Sequence, residues 1–326
     1  MSDTAARISV IVPVYNSARF VDGLCSCFEA QTFEDFEVVF VDDGSTDGSY
    51  ELLVDRLCAS KFRSRVIRQP NKGVSAARNT GLDAAEGDYI CFVDADDAVC
   101  ADYLSVLYAE AQSSGCGAVM AYITRCEDEL GQGSRSAVMY DSVSFLREFL
   151  YRGIKYSICC GLYRRSLFEE RGLRFSVGYR YSEDVHLLWR LFALSDSVAV
   201  VDAYLYYYFD NRDSAMNKKV DSGRLDAIAL MRDLEPFMDE HAPQFAAEFR
   251  RYAVSRHYWS LLWQAAAGSD GYADFEACIK ALDYDGCLVR LYDYPDARVR
   301  LTSRLFSFSR RLYYVLIRFY VKIFRR

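Results

Sequence analysis

Three carboxylates crowd into four positions at Asp94-Ala95-Asp96-Asp97, directly after the apolar run Tyr89-Ile90-Cys91-Phe92-Val93. The run is short, aromatic and β-branched, as a buried strand is. Carboxylates at the end of a buried strand are costly unless something offsets them. A hard divalent cation, which takes oxygen ligands, would do so. For an isolated D-x-D the plainer reading is a solvated acidic turn or a helix cap, because Asp caps helices well. Two other acidic groups stand out. Asp42 and Asp43 close the apolar stretch 36–41, and Glu183-Asp184 follow Ser182 where a helical pattern begins. Ser182 can cap that helix, and the helix dipole favours acidic residues in a first turn.

The elements that must hold these groups alternate. Residues 8–14 form a near-continuous apolar strand, and Pro13, which cannot donate to a ladder, ends it. Asn16 or Ser17 can cap a helix over 18–31, with Phe20, Val21, Leu24 and Phe28 at helical spacing. A second strand covers 36–41, Ser45 or Thr46 caps a helix over 47–59, and 66–68 make a short third strand. Asn71-Lys72-Gly73-Val74-Ser75 opens a helix through about 85 that carries Arg78 and Asn79. This alternation predicts a parallel sheet with helices on both faces. The strand ends at 13–16, 42–43 and 94–97 would line one edge, where ligands of open α/β sheets bind. There is no G-x-x-x-x-G-K-[ST] and no G-x-G-x-x-G. A metal-bound nucleotide therefore suits that edge better than a bare phosphate.

Five segments in order complete the pattern: Pro13-Val14-Tyr15-Asn16, Gln31-Thr32-Phe33, Val41-Asp42-Asp43-Gly44-Ser45-Thr46-Asp47, Asn71-Lys72-Gly73-Val74-Ser75-Ala76-Ala77-Arg78-Asn79-Thr80-Gly81 and Phe92-Val93-Asp94-Ala95-Asp96-Asp97. Each is weak alone. Together, residues 8–97 resemble the nucleotide-binding half of a bacterial, inverting family 2 glycosyltransferase. The resemblance implies an α/β GT-A (Rossmann-like) fold with a mostly parallel central sheet flanked by helices. A helical C-terminal region and a basic amphipathic tail helix would follow. It implies that Pro13, Tyr15 and Asp43 hold the base of a nucleotide diphospho-sugar, a UDP-sugar, and that Arg78 belongs to the same nucleotide site. Asp94 would contact the ribose or the metal shell, Asp96 would bind Mg²⁺ or Mn²⁺, and Asp97 would cap the next helix. The family carries a Glu-Asp pair whose Asp is the catalytic base, and the matching residue is Asp184. Arg212, in Asn211-Arg212-Asp213-Ser214, would contact the diphosphate through its planar fork; the bland alternative is a solvent-facing turn. Where the family usually has Asn-Lys before a Leu-Tyr, this chain has Cys160-Gly161. His186 would point to another face than Asp184 and reads as surface or packing.

The expected organisation is a glycosyltransferase domain over 1–215, a helical region over 216–295 and a membrane-surface helix over 296–326. The first domain would divide into a nucleotide-sugar half, 1–97, and an acceptor half, 98–215. Within the second half we expect a helix at 101–114, a strand at 117–123, a polar loop at 125–137 beside the acceptor, a helix at 142–152 and strands at 198–201 and 203–209. Helices over 220–290 would break at Pro236, Pro243 and Gly268. The aromatic face of Tyr252, Tyr258, Trp259 and Trp263 reads as core, and 283–295 as a linker.

The net charge of −7 argues against nucleic-acid binding, but it hides an asymmetry. Residues 298–326 hold nine Lys/Arg and no Asp or Glu, which leaves about −16 on the rest of the chain. Arg300, Arg304, Arg311, Arg318, Lys322 and Arg325 make one stripe of a helix. Leu301, Leu305, Leu312, Leu316, Phe319 and Ile323 fill the opposite face. Such a helix suits an anionic membrane surface; docking on the protein's own acidic body is the alternative. No charge-free run approaches the ~20 residues a span needs, and residues 1–20 do not read as a signal peptide. The eleven cysteines include no C-x-x-C pair, so reduced, buried thiols in a cytoplasmic protein are expected, peripheral on the inner face of the cell membrane. The partners implied are a nucleotide-sugar donor and a glycan or lipid-linked acceptor in cell-surface polysaccharide or glycolipid synthesis. A nucleotidyltransferase of related fold and a non-catalytic membrane-associated scaffold stay open as alternatives.

Overall fold

The computed structural model describes residues 6–152, 156–209, 220 and 222–324. The chain forms two compact units. The first comprises Met1–Phe149, Gly153–Gly178 and Asp184–Asn211; the second comprises Leu150–Arg152, Tyr179–Glu183 and Arg212–Arg326.

The first unit is built on a nine-stranded sheet. It begins with β1 (Ile8–Val14), α1 (Val21–Glu29), β2 (Phe36–Asp42), α2 (Ser49–Leu57), β3 (Arg63–Arg68), α3 (Val74–Ala84) and β4 (Tyr89–Phe92). There follow β5 (Ala98–Val99), α4 (Tyr103–Ser114), β6 (Ala118–Thr124), β7 (Ala137–Asp141), α5 (Ser142–Arg152), β8 (Gly161–Arg164), α6 (Ser166–Glu169), α7 (Glu183–Leu194) and β9 (Ser197–Tyr207). Strand order is β3-β2-β1-β4-β8-β6-β9-β5, with β7 also on β9. β3, β2, β1 and β4 are parallel, and every residue of β2 is buried, as strands covered on both faces are. Pro13 does not end β1. The β1–β4 ladder stops at Ile11–Phe92, so only the β2 side, where Pro13 faces Val41, continues to Val14. Gly87 sets the approach to β4: a Cβ there would lie 2.6 Å from the Ser9 nitrogen.

Beyond β4 the sheet is less parallel than the strand–helix alternation predicts. β8 runs antiparallel to β4 and to β6, and β9 is parallel to β6 but antiparallel to β5 and β7. β8 sits in the Cys160-Gly161-Leu162-Tyr163 stretch, where Gly161 leaves the space occupied by the Tyr163 hydroxyl, 2.5 Å from where its Cβ would stand. The two strands expected at 198–201 and 203–209 are one, and part of the expected loop at 125–137 leads into β7, which pairs with β9.

Gln31 explains the Gln31-Thr32-Phe33 segment as architecture. Its amide donates to the Cys27 and Cys100 carbonyls at 3.2 and 2.9 Å and accepts from Leu104 N–H at 3.1 Å. It thereby covers the start of α4, where the first N–H groups lack helical partners.

The second unit contains α8 (Leu225–His241), α9 (Pro243–Gly268), α10 (Tyr272–Ala281), α11 (Ala297–Phe308) and α12 (Arg310–Phe324). Pro243 starts α9 and Gly268 ends it, but α8 runs through Pro236. Pro236 is exposed, and the carbonyl deprived of its N–H belongs to exposed Arg232, so the helix tolerates it on its outer side. The stretch 283–295 is no linker: Cys287, Leu288, Leu291 and Tyr294 are buried, and the Tyr294 hydroxyl donates to the Leu150 carbonyl at 2.7 Å. The tail is two helices. Ser309 is extended (φ −157°), its N–H ends α11 on the Leu305 carbonyl, and its hydroxyl accepts from Leu312 N–H to start α12.

Val299, Ser303, Phe306, Tyr313 and Ile317 are the buried side of this pair. The basic stripe is partly engaged on the same unit. Arg300 bonds the Tyr294 and Pro295 carbonyls, Arg304 the Tyr292 carbonyl, and Arg318 the Ala267 and Ser269 carbonyls at the end of α9. The opposite side remains in the open: Leu301 is 65% exposed, Phe308 84% and Phe319 63%, with Leu312, Val315, Leu316 and Ile323 also exposed. Among the described residues no helix is long and apolar enough to cross a membrane.

Candidate active site

At the β1 and β2 ends, backbone and side chains knit two loops together. Asn16 N–H donates to Ser45 Oγ (3.0 Å), and Thr46 N–H donates to Asn16 Oδ1 (2.8 Å). Ser17 N–H donates to Ser49 Oγ (2.8 Å), and Ala18 N–H to Asp47 Oδ2 (3.0 Å). Asn16 and Ser17 are thus cross-links rather than helix caps, and Asn16 occupies φ 48°, a conformation Asn tolerates.

Asp43 is buried, and its carboxylate fixes the neighbouring loop. Oδ1 accepts from Gln69 Nε2 at 2.7 Å and Lys72 N–H at 2.9 Å, and Oδ2 from Gly73 N–H at 2.8 Å. A carboxylate has about four acceptor positions, so one is left for a donor on a ligand. Gly44 makes the approach possible: its φ is +73°, and a Cβ would lie 2.9 Å from the Asn71 nitrogen. Pro13 is half-buried on β1, and Tyr15, two residues further along the chain, is 51% exposed. Asp42 is fully buried with Arg68 Nε 3.2 Å from Oδ2.

The β4 end carries the acidic group. The buried Arg78 guanidinium donates to Asp94 Oδ1 at 2.7 Å and lies over the Phe175 ring at 5.2 Å. Asn79 holds Phe175 by both backbone groups, at 2.9 Å each. Asp94 N–H donates to the Tyr206 hydroxyl at 3.1 Å, and that hydroxyl donates to Asp97 Oδ2 at 2.6 Å. Asp97 Oδ1 accepts from Phe209 N–H at 2.9 Å. Asp97 is therefore bound to β9 and does not cap α4, whose Asp102 also makes no side-chain cap. Burial, then the neighbouring charge of Asp94, push the Asp97 carboxyl up to about 8. Burial raises the Asp184 carboxyl too, opposed by the Arg78 charge and reinforced by that of Asp94. Arg78, Asp94 and Asp184 thus share one electrostatic environment. His186, buried with Nδ1 3.2 Å from Ser176 Oγ, is a packing residue.

Among the described residues no three His, Cys, Asp or Glu side chains gather to hold an ion by themselves. The donor chemistry nevertheless fits a hard cation. Mg²⁺ commonly takes only one or two protein carboxylates and completes its shell with phosphate oxygens and water. Asp94 and Asp96 offer two carboxylates of the kind such a shell would use, and their charges add to burial in raising the Asp97 carboxyl. Arg212 lies outside the described residues.

Tyr206 and Gln69 escaped the sequence reading. Both look like filler in sequence, one near the tyrosine-rich end of β9 and one in a loop. The available signal was parity: alternate residues of a strand share a face, and the run from Tyr204 to Tyr208 must send some hydroxyls inward.

The match to the family model described as Glycosyl transferase family 2 spans residues 9–172. The uncharacterized glycosyltransferase EpsJ of Bacillus subtilis is 34% identical over 264 residues, which cover 77% of this chain and 70% of EpsJ. The chain belongs to glycosyltransferase family 2. That decides between the transferase and the nucleotidyltransferase and scaffold alternatives. The enzyme's fold is that of S. aureus TarS 1–349, solved in complex with UDP-GlcNAc, with a TM-score of 0.67 at 20% identity over 92% of this chain and 91% of TarS 1–349. The mannosyltransferase PcManGT from Pyrobaculum calidifontis, in complex with GDP-Man and Mn²⁺, matches 99% of the glycosyltransferase and 89% of its own chain at a TM-score of 0.59 and 17% identity. The GT-A architecture expected from residues 8–97 is therefore present.

Proposed function

We propose that this glycosyltransferase moves a sugar from a UDP-sugar to an acceptor hydroxyl in cell-surface polysaccharide or glycolipid synthesis, inverting the anomeric centre in a single displacement. The observation that carries the reading is the Arg78–Asp94 pair, whose charges both act on the Asp184 carboxyl. A base is most effective with a pKa near the working pH, and burial raises that of Asp184. Asp184 takes the acceptor's hydroxyl proton while that oxygen bonds to the anomeric carbon. The bond from that carbon to the diphosphate oxygen breaks on the opposite face, and the nucleoside diphosphate leaves. Pro13 and Tyr15 flank the base, and Asp43 offers its remaining acceptor position to a base N–H. Arg78 keeps Asp94 oriented toward the ribose or the metal shell, and Arg212 is assigned to the diphosphate. Asp96, with Asp94, would hold Mg²⁺ or Mn²⁺, which when bound offsets charge growing on the leaving diphosphate. The UDP-GlcNAc and the GDP-Man with Mn²⁺ held by the two structural relatives support a nucleotide-sugar donor and a divalent metal.

Asp184→Asn should lower turnover by about 10²–10⁴ while thermal-shift titration with the donor and Mn²⁺ stays near wild type. Asp96→Asn should weaken the Mn²⁺-dependent part of that donor stabilisation. Near-normal turnover in Asp184→Asn would remove it as the base.

The acceptor side of the reading is membrane-linked. The exposed apolar side of α12, beside a tail of nine cations and no anions, suits the anionic inner face of the cell membrane. The enzyme would then work in the cytoplasm as a peripheral protein, and a lipid-linked acceptor would be within its reach.

A further inference from the structure

Arg68 and Gln69 close β3 as Asp42 and Asp43 close β2, and the two pairs meet side chain to side chain. Arg68 stands opposite Asp42 in the ladder with its Nε 3.2 Å from Asp42 Oδ2, and Gln69 N–H donates to the Asp42 carbonyl at 2.9 Å. The Gln69 side chain goes to the next carboxylate, where Nε2 donates to Asp43 Oδ1 at 2.7 Å. Its other end is held from α3: the Thr80 hydroxyl donates to Gln69 Oε1 at 2.7 Å. Chemistry fixes the direction of this chain. An ionised carboxylate only accepts, so the amide must turn its nitrogen to Asp43. The amide oxygen then faces Thr80, whose hydroxyl must donate. Asp43 also accepts from the Lys72 and Gly73 N–H groups, in the loop that opens α3. Asp43, the start of α3, Thr80 and Gln69 thus form a closed circuit, all of it within the first unit.

We infer that Gln69 and Thr80 are positioning residues for recognition of the donor's base: they hold Asp43 so that its remaining acceptor position lies at one fixed place along the edge of that base. This rests on the reading of Asp43 as the group that holds the base. The consequence is selectivity. Uracil presents a ring N–H between two carbonyls. Cytosine has a bare nitrogen at that place and carries its donor, an amino group, one atom further along the same edge. A carboxylate tied by three donors cannot follow the displaced amino group, and a buried acceptor left facing a lone pair is costly. A carboxylate released by Gln69 can rotate toward it. The choice of base is thus set in part by two side chains that touch no base.

The test is calorimetric titration of UDP and of CDP, each with Mn²⁺, into the full chain as wild type, Gln69→Leu, Thr80→Val, Thr80→Ser and Asp43→Asn. Wild type should prefer UDP by about a hundredfold or more. Gln69→Leu should weaken UDP about tenfold or more while CDP changes little, so the preference shrinks. Thr80→Val keeps the shape but removes the hydroxyl. It should move the preference the same way by about threefold or more, and it serves if Gln69→Leu does not fold. Thr80→Ser keeps the hydroxyl and should stay near the wild-type preference, a rescue that packing alone would not give. A wild type without preference, an unchanged preference in both Gln69→Leu and Thr80→Val, an equal loss of UDP and CDP, or a Thr80→Ser no better than Thr80→Val would overturn the inference. Asp43→Asn tests the reading beneath it. An unchanged preference there removes Asp43 from the base, and the inference with it; a changed one beside silent Gln69 and Thr80 variants overturns the inference alone.

Discussion

At the scale of single residues, charge and hydrogen-bond capacity account for most of the site. Tyr206 spends one oxygen on two tasks, receiving the Asp94 N–H and serving the Asp97 carboxylate. Strand periodicity announces which faces are buried but not which tyrosine meets which aspartate, because that depends on pairing across more than a hundred residues. The carboxylates themselves were legible because ionised groups at the ends of apolar runs need a reason. Asp97 was misread as a cap because local rules favour helix starts, whereas its partners come from β9. His257 gives a pH signature. Its folded pKa, about 4, is below its ordinary value of 6.5, so the unfolded chain binds the extra proton between those values. Stability from this group is complete above pH 6.5 and drains away as pH falls toward 4. His257→Gln should lose less melting temperature than wild type between pH 7 and pH 5. Equal losses would mean that His257 is not held neutral.

Among elements, the parallel half of the sheet was readable, and in the second half α4, β6, α5 and the residues of β9 were too, but β7, β8 and the antiparallel pairing were not. Buried parallel strands are written as continuous apolar runs, so β1, β2 and β4 declare themselves. β8 is four residues of mixed character, and its antiparallel placement is a tertiary choice. Pro236 misled because a proline is judged by its ring, whereas the outcome depends on which side of the helix it faces. Ser309 was available as a cap signal but lost to the longer periodicity on either side. Close packing also leaves a testable mark. Gly87→Ala forces a methyl group against the Ile8–Ser9 backbone, 2.6–2.7 Å away, where no flexible side chain can yield. It should destabilise the protein by about 1–3 kcal/mol, measured by the urea midpoint; a midpoint equal to wild type would show that the β1–β4 entrance adjusts freely.

For the molecule as a whole, the decisive feature is an uneven distribution of charge and apolar surface along the chain. The tail does not choose between its two expected roles. Its Tyr313–Ile317 side is buried and several arginines bond carbonyls of the second unit, yet its other side stays apolar and exposed. Full-length protein should co-sediment with vesicles rich in anionic lipid, and Leu316→Glu with Phe319→Glu should weaken binding more than removal of one arginine already bonded to the protein. Equal sedimentation of the double variant would remove the membrane role.

The long strand β9 carries a different consequence, one of time rather than space. It pairs with β5, β6 and β7, and it supplies the hydroxyl that joins Asp94 to Asp97. A growing chain therefore emerges with its acidic cluster unfinished and keeps it so for a hundred residues of translation. Residues 1–97 hold most of the recognisable signature, yet the hydroxyl that joins Asp94 to Asp97 lies outside them. The link between Asp94 and Asp97 is completed only when the later half of the chain has been made.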